Sequence, residues 1–140
     1  DTAGRASPGN FLIIVDDGSG GPSEALLTAV RAAVDGVRPI GSRFAVRAPV
    51  VIEVAVRVTI AFIQDADRSS VVAAVTTRVA TYVNGLAVGA SLPASRVAQL
   101  AYDASPFVTN VTSVTLNGGA ADLHPDLFSV IRAASVAVIA

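Results

Sequence analysis

The clearest pattern in the chain is the run VVIEVAVRVTIAF, residues Val50 to Phe62. Ile52, Val54, Val56, Val58, Ile60 and Phe62 fall on one side of a two-residue repeat, and Glu53, Ala55, Arg57, Thr59 and Ala61 fall on the other. That alternation predicts a long strand with one face in a core and one face open, the form expected in an antiparallel or mixed sheet. Upstream, Phe11 to Val15 is a short apolar run that reads as a buried strand. From Ser23 the apolar positions Leu26, Val30, Ala33, Val34 and Val37 recur at helical spacing. Ser23 suits the N-cap, Glu24 places a negative charge in the first turn where the helix dipole favours it, and Gly36 and Pro39 end the helix. Arg43 to Ala48 alternates again, with Phe44, Val46 and Ala48 on one face, until Pro49 interrupts.

A second helix fits Ser69 to Asn84, with an apolar stripe of Val71, Val72, Val75, Val79, Tyr82 and Val83. Asp65 or Asp67 is its expected cap, and Gly85 stands where a left-handed C-terminal cap is expected. A shorter helix suits Ala94 to Ala104. Val108 to Leu116 returns to a β pattern, Asn117-Gly118-Gly119 turns the chain, and Ser135 to Ala140 is the last expected strand. The first ten residues, DTAGRASPGN, have the composition of a linker. The predicted class is α+β: a mixed or antiparallel sheet packed by about three helices and divided into two small lobes. Residues 1–48 would hold the linker and a βαβ-like lobe, and residues 49–140 a second α+β lobe.

Composition narrows the options. The chain has 140 residues, 52% apolar and 15% charged, so its core must be built from Val, Ala, Leu and Ile. All 10 basic residues are Arg, they are scattered, and the net charge is −1. Nucleic-acid binding normally uses a concentrated basic face with stacking aromatics, and neither is present. With 0 Cys, disulfides, zinc–thiolate sites and thiol catalysis are excluded. The apolar runs are of strand length, too short to cross a bilayer. With 0 Met, the chain is expected to be a piece of a longer polypeptide.

Candidate chemistry gathers in DDGSGGPSE, Asp16 to Glu24. Asp17-Gly18-Ser19-Gly20-Gly21 has the letters of a serine-protease motif with the Asp and first Gly exchanged. A Ser nucleophile needs an oriented base, and His124, the chain's 1 His, lies far along the sequence. A dinucleotide loop needs a third glycine where Ser23 stands, and a P-loop needs a Lys that the chain lacks. The pairs Asp16-Asp17 and Asp65-Asp67 are too few oxygens for a calcium loop. Asp16 and Asp17 are therefore expected to end a strand and begin a flexible turn. His124 reads as a solvated or hydrogen-bonded loop histidine. Glu53 with Arg57, four residues apart on one strand face, reads as either a polar seam against a partner or a solvated sheet face, the solvated face being the default for exposed charges. No catalytic, cofactor-binding or metal-ligating residue is expected.

The order of motifs carries a resemblance. Leu26-Leu27 with Val30, the turn Arg38-Pro39 with Gly41, the strand end Val46 with Ala48-Pro49, and the Val54 to Val58 strand follow in sequence. Downstream come VATYVNGLAVG, a short helix and a closing Val-rich strand. This succession resembles the C-terminal portion of the baseplate J-like family of contractile phage tails, over roughly residues 9 to 140, an extent argued from pattern order. One departure is Phe107 after Pro106, where the family usually has glycine. The resemblance implies a non-enzymatic virion structural protein, a wedge subunit of a phage or prophage-like tail baseplate. It implies oligomeric protein–protein interaction with other wedge proteins and with copies of itself, with no nucleic acid, membrane, small-molecule substrate or cofactor. It places the protein in the virion tail baseplate, assembled in the bacterial cytoplasm, and makes the first lobe the end of a domain begun upstream. A stand-alone α+β homo-oligomeric binding module is the alternative. The two differ in whether the first lobe's sheet is closed.

Overall fold

The computed structural model describes residues 9–140; the expected linker lies largely outside them. In chain order the elements are β1 (Asn10–Ile14), α1 (Glu24–Asp35), β2 (Arg43–Arg47), β3 (Val50–Phe62), α2 (Arg68–Asn84), α3 (Ala94–Ala104), β4 (Val108–Leu116) and β5 (Ser129–Ile139). β1 and β2 form a parallel two-stranded sheet, and β4-β3-β5 a mixed three-stranded one, with β3 antiparallel to β4 and parallel to β5. The fold is α+β, three helices with two sheets.

β3 is the centre of the larger sheet because its alternation matches what surrounds it. Val54, Val56, Val58 and Ile60 are buried, while Glu53, Ala55 and Arg57 are exposed. The buried face meets α2, whose Val71, Val75, Val79 and Val83 recur every fourth residue and so share one stripe. α2 packs on β5 and α3 on β4, so the helices cover one face of the sheet and leave the other bare. Each fully buried valine contributes roughly 1.5–2 kcal/mol by leaving water. Asp67, rather than Asp65, caps α2, accepting from the Ser69 and Ser70 N–H groups.

Several expectations need correction. Phe11 to Val15 is not a buried strand: Phe11 is exposed and Leu12 to Val15 are half-buried, with β2 alone beside them among the described residues. Gly85 is not left-handed: its φ is −88° and ψ 1°, and its N–H bonds back to Thr81 and Tyr82 carbonyls, closing the last turn tightly. The last strand begins at Ser129 rather than Ser135. Ser129, Val130, Ile131 and Arg132 are all buried, so this stretch has no alternation to reveal it, and its arginine imitates a strand break. A bulge between Val54 and Ala55 then restores register with Ser135.

The first lobe is a strand, a helix and a parallel strand. Ser23 caps α1 through the Leu26 N–H at 3.3 Å. The expected stripe on α1 is largely unused: Leu27 is its buried residue, Leu26, Val30 and Val34 are half-buried, and Val37, just past the helix, is 83% exposed. Phe44 is half-buried, with its ring stacked on Phe11 at 5.7 Å and the Arg38 guanidinium over its face.

Candidate functional site

The loop from Asp16 to Gly21 is closed around its own carboxylates. Asp16 Oδ1 accepts the Gly18 N–H at 3.0 Å and the Gly20 N–H at 2.9 Å. Asp17 Oδ1 accepts the Ser19 N–H at 2.9 Å and the Ser19 hydroxyl at 2.6 Å, and Ser19 Oγ in turn accepts the Gly21 N–H at 3.0 Å. The Ser19 hydroxyl bond, then its N–H, hold the Asp17 carboxyl below its ordinary pKa. The flexible turn expected at Asp16-Asp17 is thus an ordered one.

Its second partner lies on β5. Arg132 Nη2 donates to Asp16 Oδ2 in an ion pair whose side chains are 10% and 13% exposed. Arg132 Nη1 donates to the carbonyls of Leu86 at 3.0 Å and Ile131 at 2.9 Å. Its Nε is buried and has no hydrogen-bond partner among the described residues. Gly20, with φ +83°, lies against β3 and β5: a Cβ there would stand 2.8 Å from Val51 Cγ2 and 3.6 Å from Arg132 Cγ. Glycine meets both demands at once, a left-handed backbone and a close approach. The loop therefore clasps the β1–α1–β2 lobe to the three-stranded sheet.

Of the remaining candidates, Ser19 belongs to the clasp loop, whereas His124 and Asp67 lie on other elements. The Ser19 hydroxyl is engaged by Asp17, and His124 meets a different serine, Ser91, whose Oγ is 2.9 Å from Nδ1. His124 is exposed, and among the described residues no carboxylate hydrogen-bonds its ring. Nearby Asp122 instead accepts the Ala94 N–H at the start of α3. Asp67 accepts the Ser69 and Ser70 hydroxyls as well as their N–H groups, which lowers its pKa, with the Ser70 hydroxyl the largest cause. Among the described residues no group of three or more His, Cys, Asp or Glu is placed to hold a metal. No described helix is long and apolar enough to cross a membrane.

Arg132 is the residue that sequence reasoning missed. Its signal was present in SVIRAAS, a single cation in an apolar run, yet nothing in the sequence pairs it with an aspartate 116 positions earlier. Ser91 was missed too, because a loop serine has no local pattern that points to a distant histidine.

Compared with known proteins, the chain matches no family model and no curated protein.

Proposed function

We propose that this protein is a structural assembly subunit, of the tail-baseplate wedge type that its motif order resembles, acting through protein–protein contacts. One observation carries the reading: the first lobe is an open sheet. Arg43 N–H donates to the Gly9 carbonyl at 2.7 Å and Val15 N–H to the Arg47 carbonyl at 3.0 Å. In a parallel ladder alternate residues face the partner strand, so Phe11, Ile13 and Val15 bond to β2 while Leu12 and Ile14 turn their backbone groups to the far edge. Among the described residues no strand lies along that edge. The outer edge of β2 is partly closed, because Arg31 Nη2 reaches the Val46 carbonyl at 3.3 Å.

Parallel strands are normally covered on both faces, and a two-stranded sheet alone is marginal in water. Here α1 covers part of one face, over β2 at Val46, and among the described residues no helix or sheet covers the other. A cleft of about 380 Å³ opens beside the α1–β2 contact, with Phe44 and Val46 in its wall. A strand from another wedge protein or another copy, added to β1, would supply the missing ladder and cover Phe11 and Leu12. On this reading the site of action is the virion tail baseplate, filled during assembly in the bacterial cytoplasm, and no catalysis is assigned to the chain.

The test is electron microscopy of contractile tails from the source cells, gold-labelled with antibody to this chain. The proposal expects label at the distal end of the tail. Tails that stay unlabelled while the antibody binds the same chain in disrupted particles or lysate would overturn it in favour of a stand-alone module.

A further inference from the structure

The face of the three-stranded sheet opposite α2 and α3 carries two opposite charges that are unmatched among the described residues. β3 presents Glu53, Ala55 and Arg57 to solvent in succession. Among the described residues neither the Glu53 carboxylate nor the Arg57 guanidinium takes part in an ion pair or a side-chain hydrogen bond. Arg132, which lies beside Glu53 in the β3–β5 register, is committed to Asp16 instead. The clasp loop approaches the sheet at Val51, Val130 and Arg132, and Glu53 is the next β3 residue on that face.

Around Ala55 this face dips. A depression of about 380 Å³ is lined by Ala55, Arg57, Thr115, Gly118, Ser135 and Ala137. Arg57 is the one charged group in that lining, and the acid nearest along the strand is Glu53. Strand rise puts the two charges about 13 Å apart with Ala55 midway.

We infer that this face is a self-contact, in which a second copy stacks sheet on sheet about a two-fold axis. The axis lies between the two faces, runs across the strands and passes over Ala55. That rotation reverses the direction of β3, so Glu53 of each copy meets Arg57 of the other, and the pair forms twice. An axis along the strand would instead set Glu53 against Glu53 and Arg57 against Arg57. Stacked sheets lie about 10 Å apart, a gap that a glutamate and an arginine extended from opposite sides can bridge. The small side chains between them let the faces approach. One acid and one base equidistant from a centre of small residues are self-complementary, which is what an isologous contact requires. A partner of different sequence would need no such symmetry.

The contact rests on the assembly reading for its setting, and the two fail separately. The test is sedimentation equilibrium of the 140-residue chain, with circular dichroism confirming that each variant is folded. Wild type should dimerise, more weakly at high salt. E53R or R57E alone opposes like charges at both ends and should weaken the dimer by about tenfold or more. E53R and R57E together rebuild both pairs and should return affinity to within about threefold of wild type. A chain monomeric up to hundreds of micromolar would overturn the inference, as would a dimer indifferent to the single reversals or not rescued by the double one. Labelled tails with a monomeric chain would remove the self-contact alone. A charge-rescued dimer with unlabelled tails would remove the wedge reading alone.

Discussion

The two lobes are built from the same kinds of residue and bury them to very different degrees. In the lobe from β3 to β5, Val54, Val58, Val75, Val79, Val83, Leu92, Val97, Val130 and Ile131 are wholly removed from solvent. In the β1–α1–β2 lobe, Leu27 and Val46 are the large hydrophobic side chains that reach burial, while Phe11 stays 40% exposed and Ile40 fully so. Hydrophobic content does not explain the contrast, since LIIV and ALLTAV are as apolar as much of β3. The difference is a second layer: β3 has a strand on each side in a sheet that two helices cover, whereas among the described residues β1 has one neighbour and α1 touches mainly β2. An amphipathic element buries its apolar face only when another layer is present to receive it.

The comparison can be broken in decreasing steps. Val56→Asp puts a carboxylate into the core face of β3 and should cost about 4 kcal/mol or more, abolishing cooperative thermal unfolding. The same charge at Leu27 should move the main transition by less than about 1 kcal/mol, because that transition belongs to the other lobe. Equal effects on Tm would show that the two lobes share one core.

Asp16→Ala addresses the clasp. It leaves Arg132 buried without its counter-charge and releases the loop N–H groups of Gly18 and Gly20. A loss of about 2–4 kcal/mol is expected in denaturant unfolding. Gly20→Val should cost about 1–3 kcal/mol, since it must adopt a positive φ and displace Val51. In both variants protease should cut within residues 16–23 sooner than in wild type while β3 to β5 stay intact.

The smallest effect is acid titration of α2. Asp67 is held below its ordinary pKa of 3.8 by the Ser70 and Ser69 bonds. Its contribution is therefore complete above that value and disappears as pH falls through the lower folded value. Asp67→Ser should keep a cap and flatten the pH dependence of Tm in that window, which calorimetry between neutral and acid pH would read.

Much of the larger lobe was legible because its elements are regular. β3 shows a two-residue alternation, α2 a four-residue valine stripe, and α3 and β4 sit between clear turn signals. What escaped was set by contacts distant in sequence. Ser129 to Arg132 is buried on both faces, so periodicity is silent there, and the strand emerges only where the bulge restores alternation. On α1 the apolar stripe was visible, but whether anything covers it depends on neighbours that a helical pattern cannot specify. At the loop, the two aspartates and three glycines were read as a flexible turn, and the structure shows an ordered one. Its order comes from Arg132, whose pairing with Asp16 no local spacing announces.

The asymmetry between the lobes is tested most directly by native-state hydrogen exchange, read peptide by peptide, on the isolated chain. The account predicts that amides in β1, α1 and β2 exchange at least about a hundredfold faster than those in β3, α2 and the first half of β5. Protection of residues 10–47 equal to that of β3 would contradict it, since an open two-stranded sheet could not hold those amides so well.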